Sequence, residues 1–309
     1  MITIIIVDYN SICKTMTYIR EIIDNSEENI KINFIIVDNS NQDISTIDLP
    51  VDGNIEYQGR TCSRFLLDEY EIVYVRSGEN MGYARGNNLG ARLARDYFHS
   101  KYFVFSNNDL HFSKTIPWHI IIDYFKENKN TCSVGFDVVD KNTGNHISPI
   151  IKADAWTELF LFYYRKLFGR FIRRLNFSSF EEKIKKCDAL AGCFVVVKAE
   201  DFFSVNGYDE NTFLYFEELI LGERFKVCNK DSVFLYLKDF HIIHDHGGTI
   251  KKNINTISND VIMWKSKEYY WRNYRKCSLV MRLIAKVNFY LFYIPLMKLK
   301  IMIKCGVLK

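Results

Sequence analysis

Residues 2–10 read ITIIIVDYN, a run of β-branched and apolar side chains that ends in an acidic and polar turn. Such a run, without polar alternation, predicts a strand that is buried on both faces of a sheet. Ser11 or Asn10 is predicted to cap a helix that continues to about Asp24. A second strand, residues 33–37, ends in the same way at the polar turn Asp38-Asn39-Ser40. The repeated order of strand, polar turn and helix predicts an α/β protein.

The same alternation continues along the chain. Further strands are predicted at 72–75, 102–105, 132–139 and 191–197, with one more ending at 241–246, and helices at 83–98, 115–127 and 213–225. Residues 41–71 are predicted to form a long polar loop, and the basic, aromatic stretch 152–186 an amphipathic helix or loop. Strand–helix–strand repetition predicts a mainly parallel central sheet with helices on both faces.

Three polar clusters directly follow predicted strands: Asp8-Tyr9-Asn10, Asp38-Asn39 and Asn107-Asn108-Asp109. In open α/β sheets, ligands bind beyond the carboxyl ends of the strands. We therefore expect the three clusters to line one cleft. Any one of them alone would be read as an ordinary turn.

Two groups of residues could supply chemistry in that cleft. Asp109 and Asn107 offer the oxygen ligands that Mg²⁺ and Mn²⁺ prefer, and a substrate diphosphate would complete such a site. The cluster of His241, His244 and His246 precedes Gly247-Gly248 and could add an imidazole ligand. The alternatives are a turn with an Asx cap and a satisfied group of histidines at a strand end.

Glu217-Glu218 lies on the predicted helix 213–225 and could supply the base that removes a proton from an attacking hydroxyl. Paired acids on a helix are also common as surface decoration. Asn80 to Asn88 reads NMGYARGNN, in which two glycines bracket a helix start and Arg85 favours anions. The alternative is a glycine-rich turn. The glycine spacing fits neither a dinucleotide-binding fingerprint nor a P-loop.

Composition restricts the class of protein further. The 309 residues carry a formal charge of +4, but the segment from Lys265 to the end holds eleven Lys and Arg against one acid, Glu268. A basic, apolar tail favours a membrane surface or another anionic partner, or else a solvated helix. The eight Cys form no CxxC pair, and the N-terminus lacks the features of a secretory signal. No uninterrupted apolar run reaches the ~20 residues of a spanning helix.

A set of short segments resembles glycosyltransferase family 2, inverting enzymes with the GT-A fold, in the rhamnosyltransferase-like bacterial branch. The segments occur in the family's order along nearly the whole chain. They are IIIVDYN at 4–10, IIVDNS at 35–40, NMGYARGNN at 80–88, FSNNDLHF at 105–112, AGCFVVVKAEDFFSVNGYDENTFLYFEE at 191–218, HDHGG at 244–248 and YYWRNYRK at 269–276.

The resemblance implies roles for single residues. Tyr9 resembles the position that packs on the nucleobase, and Asp38 the one that hydrogen-bonds it. Asn107 to Asp109 resembles the DXD motif, with Asp109 as the main metal contact. Glu218, preceded by Glu217, matches the catalytic base, which is usually Asp. His244 or His246 matches the histidine that approaches the metal and the diphosphate.

The helix start at residues 80–88, which favours anions, adds donor-binding residues to these roles. The expected site then has three parts. The expected catalytic residues are Glu218 and Glu217; the donor-binding residues are Tyr9, Asp38, Asn80, Arg85, Asn107 and Asn108; the metal ligands, for Mn²⁺ or Mg²⁺, are Asp109, Asn107, His244 and His246. The chain departs from the family at Asn107, which replaces an Asp, and at Ile220, where a second acid is often found.

The expected protein is an inverting glycosyltransferase that uses a UDP- or dTDP-sugar and a saccharide, or lipid-linked saccharide, acceptor in bacterial surface polysaccharide biosynthesis. It is expected in the cytoplasm, peripheral on the inner face of the cell membrane. We expect a catalytic domain over 1–264, with a donor half to about 112, and a basic helical extension over 265–309. The alternatives are a non-catalytic sugar-nucleotide-binding relative and a nucleotidyltransferase. Nucleic acid is not an expected partner, because the positive charge is confined to the tail.

Overall fold

The structure is a computed structural model, and it describes residues 1–41, 49–152, 154, 187–245 and 256–304. The predicted segment 152–186 therefore falls almost wholly outside the described residues, as does His246.

The described strands are β1 Ile2–Asp8, β2 Ile32–Asp38, β3 Gly53–Tyr57, β4 Arg60–Leu67, β5 Tyr70–Arg76, β6 Tyr102–Ser106, β7 Leu110–Phe112, β8 Thr131–Asp140, β9 Phe194–Lys198 and β10 Val233–His244.

Helices alternate with these strands through the first half of the chain and dominate its end. They are α1 Ile12–Asp24, α2 Gly82–Asp96, α3 Trp118–Glu127, α4 Ala199–Ser204, α5 Glu217–Cys228, α6 Thr256–Asn273, α7 Leu279–Val287 and α8 Ile294–Lys304, with a π-helix over Asn288–Tyr293 between the last two.

The ten described strands form one mixed sheet in the order β3-β4-β5-β2-β1-β6-β9-β8-β10-β7. Its central strands β5, β2, β1 and β6 are mutually parallel, as the alternation predicts. Both flanks add antiparallel pairs, so the sheet as a whole is mixed. The parallel register pairs Asp8 with Asp38 and Ile6 with Ser106, which brings the polar ends of β1, β2 and β6 to one edge.

Helices pack on both faces of the sheet, and β1 shows why its apolar run is uninterrupted. Ile4 and Ile6 face one buried cluster together with Ile19 of α1 and Trp118 of α3. Ile5 faces the other cluster, which includes Leu89 of α2. Both faces of β1 are therefore in the core, and a polar side chain would have no exposed side to occupy.

The predicted polar loop over 41–71 is wrong over most of its length. Strands β3 and β4 form a hairpin that extends the sheet beyond β5. Its two-residue turn is Gln58-Gly59, with φ of 49° and 74°, the left-handed geometry of a hairpin turn. Strand β3 alternates between half-buried and exposed residues, as an edge strand does. The polar composition of such an edge resembles that of a loop.

Helix α2 packs closely on β1 because it carries glycine at the contact. A Cβ on Gly90 would lie 2.4 Å from Cγ2 of Ile5, and one on Gly86 would lie 3.0 Å from Cγ1 of Val7. These two glycines therefore serve helix–sheet packing, and for Gly86 this adds to the predicted helix-start role of the NMGYARGNN segment.

The C-terminal helix, defined as Leu279 to Lys304, runs without interruption through α7, the π-helix and α8. One row of it is buried at every fourth position: Met281, Ala285, Phe289, Tyr293 and Met297. A four-residue spacing drifts by about 40° per step on a regular α-helix, and the wider turns of the π-helix counteract that drift. The row packs with Trp264 and Trp271 of α6 and with Ile220 of α5. Helix α6 itself crosses the expected domain boundary at 264/265.

Among the described residues, one helical segment, Leu279–Ile303, is long and apolar enough to cross a membrane, by length and composition alone. Four basic residues interrupt this segment, so it does not form the uninterrupted apolar run that predicts a spanning helix. About 28% of its most apolar window is buried inside the protein.

Candidate active site

A buried acidic network closes the end of β1. The Asp8 carboxylate accepts hydrogen bonds from the hydroxyls of Ser11 at 2.7 Å and Thr15 at 2.6 Å and from the amide of Asn108 at 3.2 Å. Burial raises the pKa of Asp8, and the hydroxyl donors oppose that rise. Ser11 precedes α1 as predicted, but its hydroxyl donates to Asp8 and does not cap the helix. The Asn108 amide group joins β6 to α1 and so has a structural role that the sequence did not predict.

The neighbouring strand end holds Asp38, the predicted base-binding residue. Its side chain is fully buried. Oδ1 accepts the backbone N–H of Ser40 at 2.9 Å, and Oδ2 accepts the Tyr74 hydroxyl at 2.5 Å. Burial, followed by this hydrogen bond, raises the pKa of Tyr74. Tyr9 lies directly after β1 and is half-buried, so part of its ring is accessible at the same edge.

A third strand end brings Asp109 and His244 into contact. Nε2 of His244 lies 2.9 Å from Oδ1 of Asp109, and His244 is only 3% exposed. The antiparallel pairing of β7 with β10 fixes this contact, because it places His244 opposite Leu110. His241 points elsewhere: its Nδ1 lies 2.7 Å from Oδ2 of the buried Asp137. The structure thus places His244 against Asp109 and His241 away from it.

Asp109 and His244 together fit a shared divalent cation. They offer one oxygen and one nitrogen ligand in a largely buried place, a donor set that Mn²⁺ or Mg²⁺ accepts when substrate oxygens and water complete it. Within the described ranges no group of three or more His, Cys, Asp and Glu could hold a metal alone. The two side chains therefore suit a cation that arrives with a phosphate-bearing ligand.

The carboxylates of Glu217 and Glu218 begin α5. The two preceding residues, Tyr215 and Phe216, have φ of 77° and 72°, a left-handed conformation that costs on the order of 1–3 kcal/mol each for such side chains. Helix α6 braces this segment: Asn259 accepts the Tyr215 hydroxyl at 2.8 Å. The strained turn fixes where the two residues begin α5.

Glu218 is the better placed of the two carboxylates for proton transfer. Its Oε1 accepts the backbone N–H of Gly192 at 3.2 Å. Burial raises the pKa of Glu218, while the backbone N–H groups of Glu218 and Gly192 lower it. Burial and the charge of Glu218 raise the pKa of Glu217 well above its usual value. Glu217 is 2% exposed, and its Oε1 accepts no hydrogen bond from any described residue. We assign the charge of the pair to Glu218.

The dipeptide Gly192-Cys193 joins this pair to the Asp109 side of the cleft. Gly192 donates to Glu218, and the carbonyl of Cys193 accepts the backbone N–H of Asn107 at 2.8 Å. Burial, followed by the charges of Asp109 and Glu218, raises the pKa of the buried Cys193 thiol. The predicted acid clusters at 107–109 and 217–218 therefore both adjoin this dipeptide.

Tyr83 is a part of this site that the sequence analysis missed. Its hydroxyl donates to the carbonyl of Gly192 at 2.6 Å, and its backbone N–H donates to the carbonyl of Phe213 at 2.9 Å. Gly82 permits this approach, since a Cβ there would lie 2.3 Å from the Phe213 oxygen. Tyr83 belongs to the NMGYARGNN segment, of which the sequence analysis predicts only Asn80 and Arg85 as site residues.

The two predicted donor contacts at the start of α2 have internal partners. Oδ1 of Asn80 accepts the backbone N–H of Gly82 at 3.1 Å. The exposed Arg85 donates from Nε to the carbonyl of Glu210 at 3.3 Å. Asn80 thus caps the first turn of α2, and Arg85 joins α2 to the segment that leads to α5.

Comparison with solved structures identifies the fold. A mannosyltransferase from Pyrobaculum calidifontis, in complex with GDP-Man and Mn²⁺, matches with a TM-score of 0.51 at 10% identity, over 100% of this chain and 76% of that one. GalNAc-T7 with UDP, GalNAc and Mn²⁺ matches with a TM-score of 0.52 at 13% identity, over 91% of this chain. The chain spans 52% of the length of GalNAc-T7. No protein-family model and no curated protein matches the chain.

The likeness shows that the chain has the GT-A fold of nucleotide-sugar transferases. The strand ends that carry Asp8, Asp38 and Asp109 lie at the carboxyl edge of the parallel strands, where ligands of open α/β sheets bind.

Proposed function

We propose that the protein is a glycosyltransferase that moves a sugar from a nucleoside-diphosphate donor to a hydroxyl of a saccharide acceptor, with inversion at the anomeric carbon. The observation that carries the proposal is the junction at Gly192-Cys193, which connects the Asp109–His244 pair to Glu218. Groups suited to a diphosphate and a group suited to a hydroxyl proton thereby share one cleft.

The donor side would use the strand ends. Tyr9 would pack on the base, and Asp38 would hold it through an oriented carboxylate that Tyr74 and Ser40 already fix. Asp109, His244 and an oxygen of Asn107 would hold Mn²⁺ or Mg²⁺ together with the diphosphate. The cation would neutralise charge on the leaving diphosphate. A UDP- or dTDP-sugar is the donor that we propose.

The acceptor side would use Glu218 as general base. The Gly192 N–H orients its Oε1 and favours the charged form, while burial raises its pKa toward the working range of a base. An inverting displacement needs one such base and no protein nucleophile. Glu217 stays protonated beside it, which avoids placing two negative charges in one buried site.

For the cellular setting we propose a lipid-linked acceptor in bacterial surface polysaccharide biosynthesis, and a cytoplasmic enzyme that is peripheral on the inner face of the membrane. The basic and apolar C-terminal segment supports this setting, because such segments favour anionic lipid surfaces. Assignment to family 2 and to its rhamnosyltransferase-like branch is part of the same proposal, and rests on the ordered segments of the sequence.

The experiment is a donor screen by thermal shift, with and without Mn²⁺, followed by turnover of the donor that stabilises the protein. Glu218→Gln should retain Mn²⁺-dependent stabilisation by that donor and lose transfer by roughly a hundredfold or more. Glu127→Gln, which changes an exposed carboxylate on α3, is the matched control. Transfer at the native rate by Glu218→Gln would refute the assigned base.

Two other functions make different predictions in the same screen. A non-catalytic sugar-nucleotide-binding protein would be stabilised by a donor and would neither transfer nor hydrolyse it. A nucleotidyltransferase would release pyrophosphate from a nucleoside triphosphate. The half-buried and oriented Glu218 favours the transferase over both, because neither alternative needs a hydroxyl base opposite the diphosphate side.

A further inference from the structure

The C-terminal helix exposes an unusual amount of apolar surface. Twelve of the twenty large hydrophobic side chains that are exposed among the described residues belong to it. They are Leu279, Val280, Leu283, Ile284, Val287, Tyr290, Leu291, Phe292, Leu296, Leu299, Met302 and Ile303. A contiguous apolar patch of this kind marks a surface that contacts another molecule or a membrane.

These side chains are directed away from the protein. Positions two residues after the buried row lie about 200° around a helix from it. Those positions are Leu283, Val287, Leu291, Pro295 and Leu299, and we call them the outer line. Leu291 is 67% exposed, whereas Phe289, two residues before it, is fully buried. The helix therefore has two apolar sides, one against the protein and one facing outward.

The inner side is held firmly. The ring of Phe289 stacks on Trp264 of α6 with centroids 4.9 Å apart, and the Tyr293 hydroxyl donates to the buried Asp260 at 2.9 Å. Crossing a bilayer would require the helix to leave these partners and expose Asp260 and two aromatic rings. Length and composition permit a spanning helix, but the packing of its inner side opposes one.

Basic side chains flank the outer line. Arg282, Lys286 and Lys298 each follow a buried residue by one position, about 100° around the helix. From this angle their stems can lie along an apolar surface while the charged ends reach phosphate groups. Residues 269–309 contain no Asp or Glu. An anionic partner with an apolar layer beneath its charges, which is a lipid surface, complements this arrangement.

We propose that the outer line of the C-terminal helix inserts into the interface of an anionic membrane, with the helix lying parallel to the surface and not crossing it. Burying several Leu and Val side chains supplies the hydrophobic part of binding. Basic residues near the surface add electrostatic attraction to anionic lipid. The inference deepens the proposed function by naming the surface on which a lipid-linked acceptor would be met, and binding is measured without any donor or turnover.

The test is sedimentation of the full-length chain with phosphatidylglycerol vesicles and with phosphatidylcholine vesicles. Binding to the anionic vesicles should be strong, weaken with salt and be weak on phosphatidylcholine. Leu291→Glu should reduce the partition coefficient by roughly tenfold or more, because it removes a buried Leu and adds a repelled charge. Val227→Glu is the matched control, since Val227 is 85% exposed on α5 and should not affect binding.

Three outcomes would overturn the proposal. Equal binding by Leu291→Glu and Val227→Glu would remove the outer line from the contact. Protein that stays on vesicles through a high-salt wash, with its C-terminal end protected from protease, would indicate a spanning helix. The third outcome concerns a dimer. If the native chain is dimeric without lipid and does not bind vesicles, and if Leu291→Glu is monomeric, the surface contacts a second copy of the chain. Glu218→Gln should bind vesicles like the native chain, so failure of the membrane proposal and failure of the transferase proposal are distinguishable.

Discussion

The backbone N–H of Gly192 donates to Oε1 of Glu218 across 3.2 Å, and a side chain at position 192 would press against that carboxylate. A Cβ there would lie 2.6 Å from that oxygen and 3.0 Å from Cγ of Glu218. The contact joins the loop before β9 to the first turn of α5. It thereby sets the direction in which the proposed base points.

Gly192→Ala should therefore fold and lose catalysis. The nearest atom to the added methyl group is the end of a flexible side chain, which can turn aside without disturbing the core. A displacement of about 1 Å at a reacting group costs on the order of a hundredfold in rate. We expect a kcat lower by that factor, with Mn²⁺-dependent donor stabilisation unchanged. Gly53→Ala, where the nearest atom lies 3.9 Å away, is the control. A native kcat in Gly192→Ala would contradict the proposed geometry.

The raised pKa of Glu217 predicts a pH-dependent stability. A buried acid whose pKa is raised in the folded state stabilises the fold below its unfolded pKa of about 4.3, and this stability is lost as the pH rises toward the folded value. The Glu217→Gln variant has no carboxyl group to ionise, so it does not lose stability in this way as the pH rises. The difference in Tm, variant minus native, should therefore increase from pH 4 to pH 8 by roughly 2 °C or more. A difference that is constant with pH would argue against the buried acid, and Glu127→Gln should show a constant one.

The Asp109–His244 pair predicts which histidine serves the proposed metal. Asp109→Asn and His244→Gln should each abolish the increase in Tm that UDP gives only with Mn²⁺, because each removes one of the few protein ligands proposed for the cation. His241→Gln is the matched control, since that imidazole contacts Asp137. Direct detection of bound Mn²⁺ by electron paramagnetic resonance checks the result without turnover. If His241→Gln alone lost the Mn²⁺-dependent increase in Tm, His241 and not His244 would be the metal ligand.

Close packing of α2 on β1 predicts an unfavourable glycine-to-alanine change. Gly90→Ala would gain roughly 1 kcal/mol of helix propensity. It would also place a methyl group 2.4 Å from Cγ2 of Ile5, a β-branched side chain that turns with difficulty. Overpacking of this kind costs about 1–3 kcal/mol, so we expect a net loss in the free energy of unfolding by urea titration. Stabilisation by Gly90→Ala would show that the helix can shift.

The parallel centre of the sheet could be predicted because β1 and β2 are buried on both faces, and uninterrupted β-branched runs signal that directly. The hairpin of β3 and β4 could not be predicted, because an edge strand with one solvent-exposed face has the composition of a loop. In addition, Gln58-Gly59 is a weak turn signal. The helix start near residue 213 was also placed too early. Tyr215 and Phe216 adopt left-handed backbone angles, which no propensity favours for aromatic residues.

The site was predictable as a set of strand ends, but not as a set of contacts. Polar residues after β1, β2 and β6 stand out in the sequence because each follows an apolar run. The contact of His244 with Asp109 depends on the register of β10 against β7, which one sequence does not contain. Tyr83 and Gly192 act through a hydrogen bond between residues 109 positions apart. Asn108, predicted to bind the donor, also holds the Asp8 network by its amide, a contact that the sequence does not indicate.

Ile220, two residues after the proposed base, packs with Trp264 and Phe289 beneath the C-terminal helix. The helix that positions Glu218 thus rests partly on the segment that we propose as the lipid anchor. A chain shortened at residue 277 would lose the anchor and loosen the support of the base at once. Attachment and turnover would then fail together, so only substitutions on the outward side can separate the two.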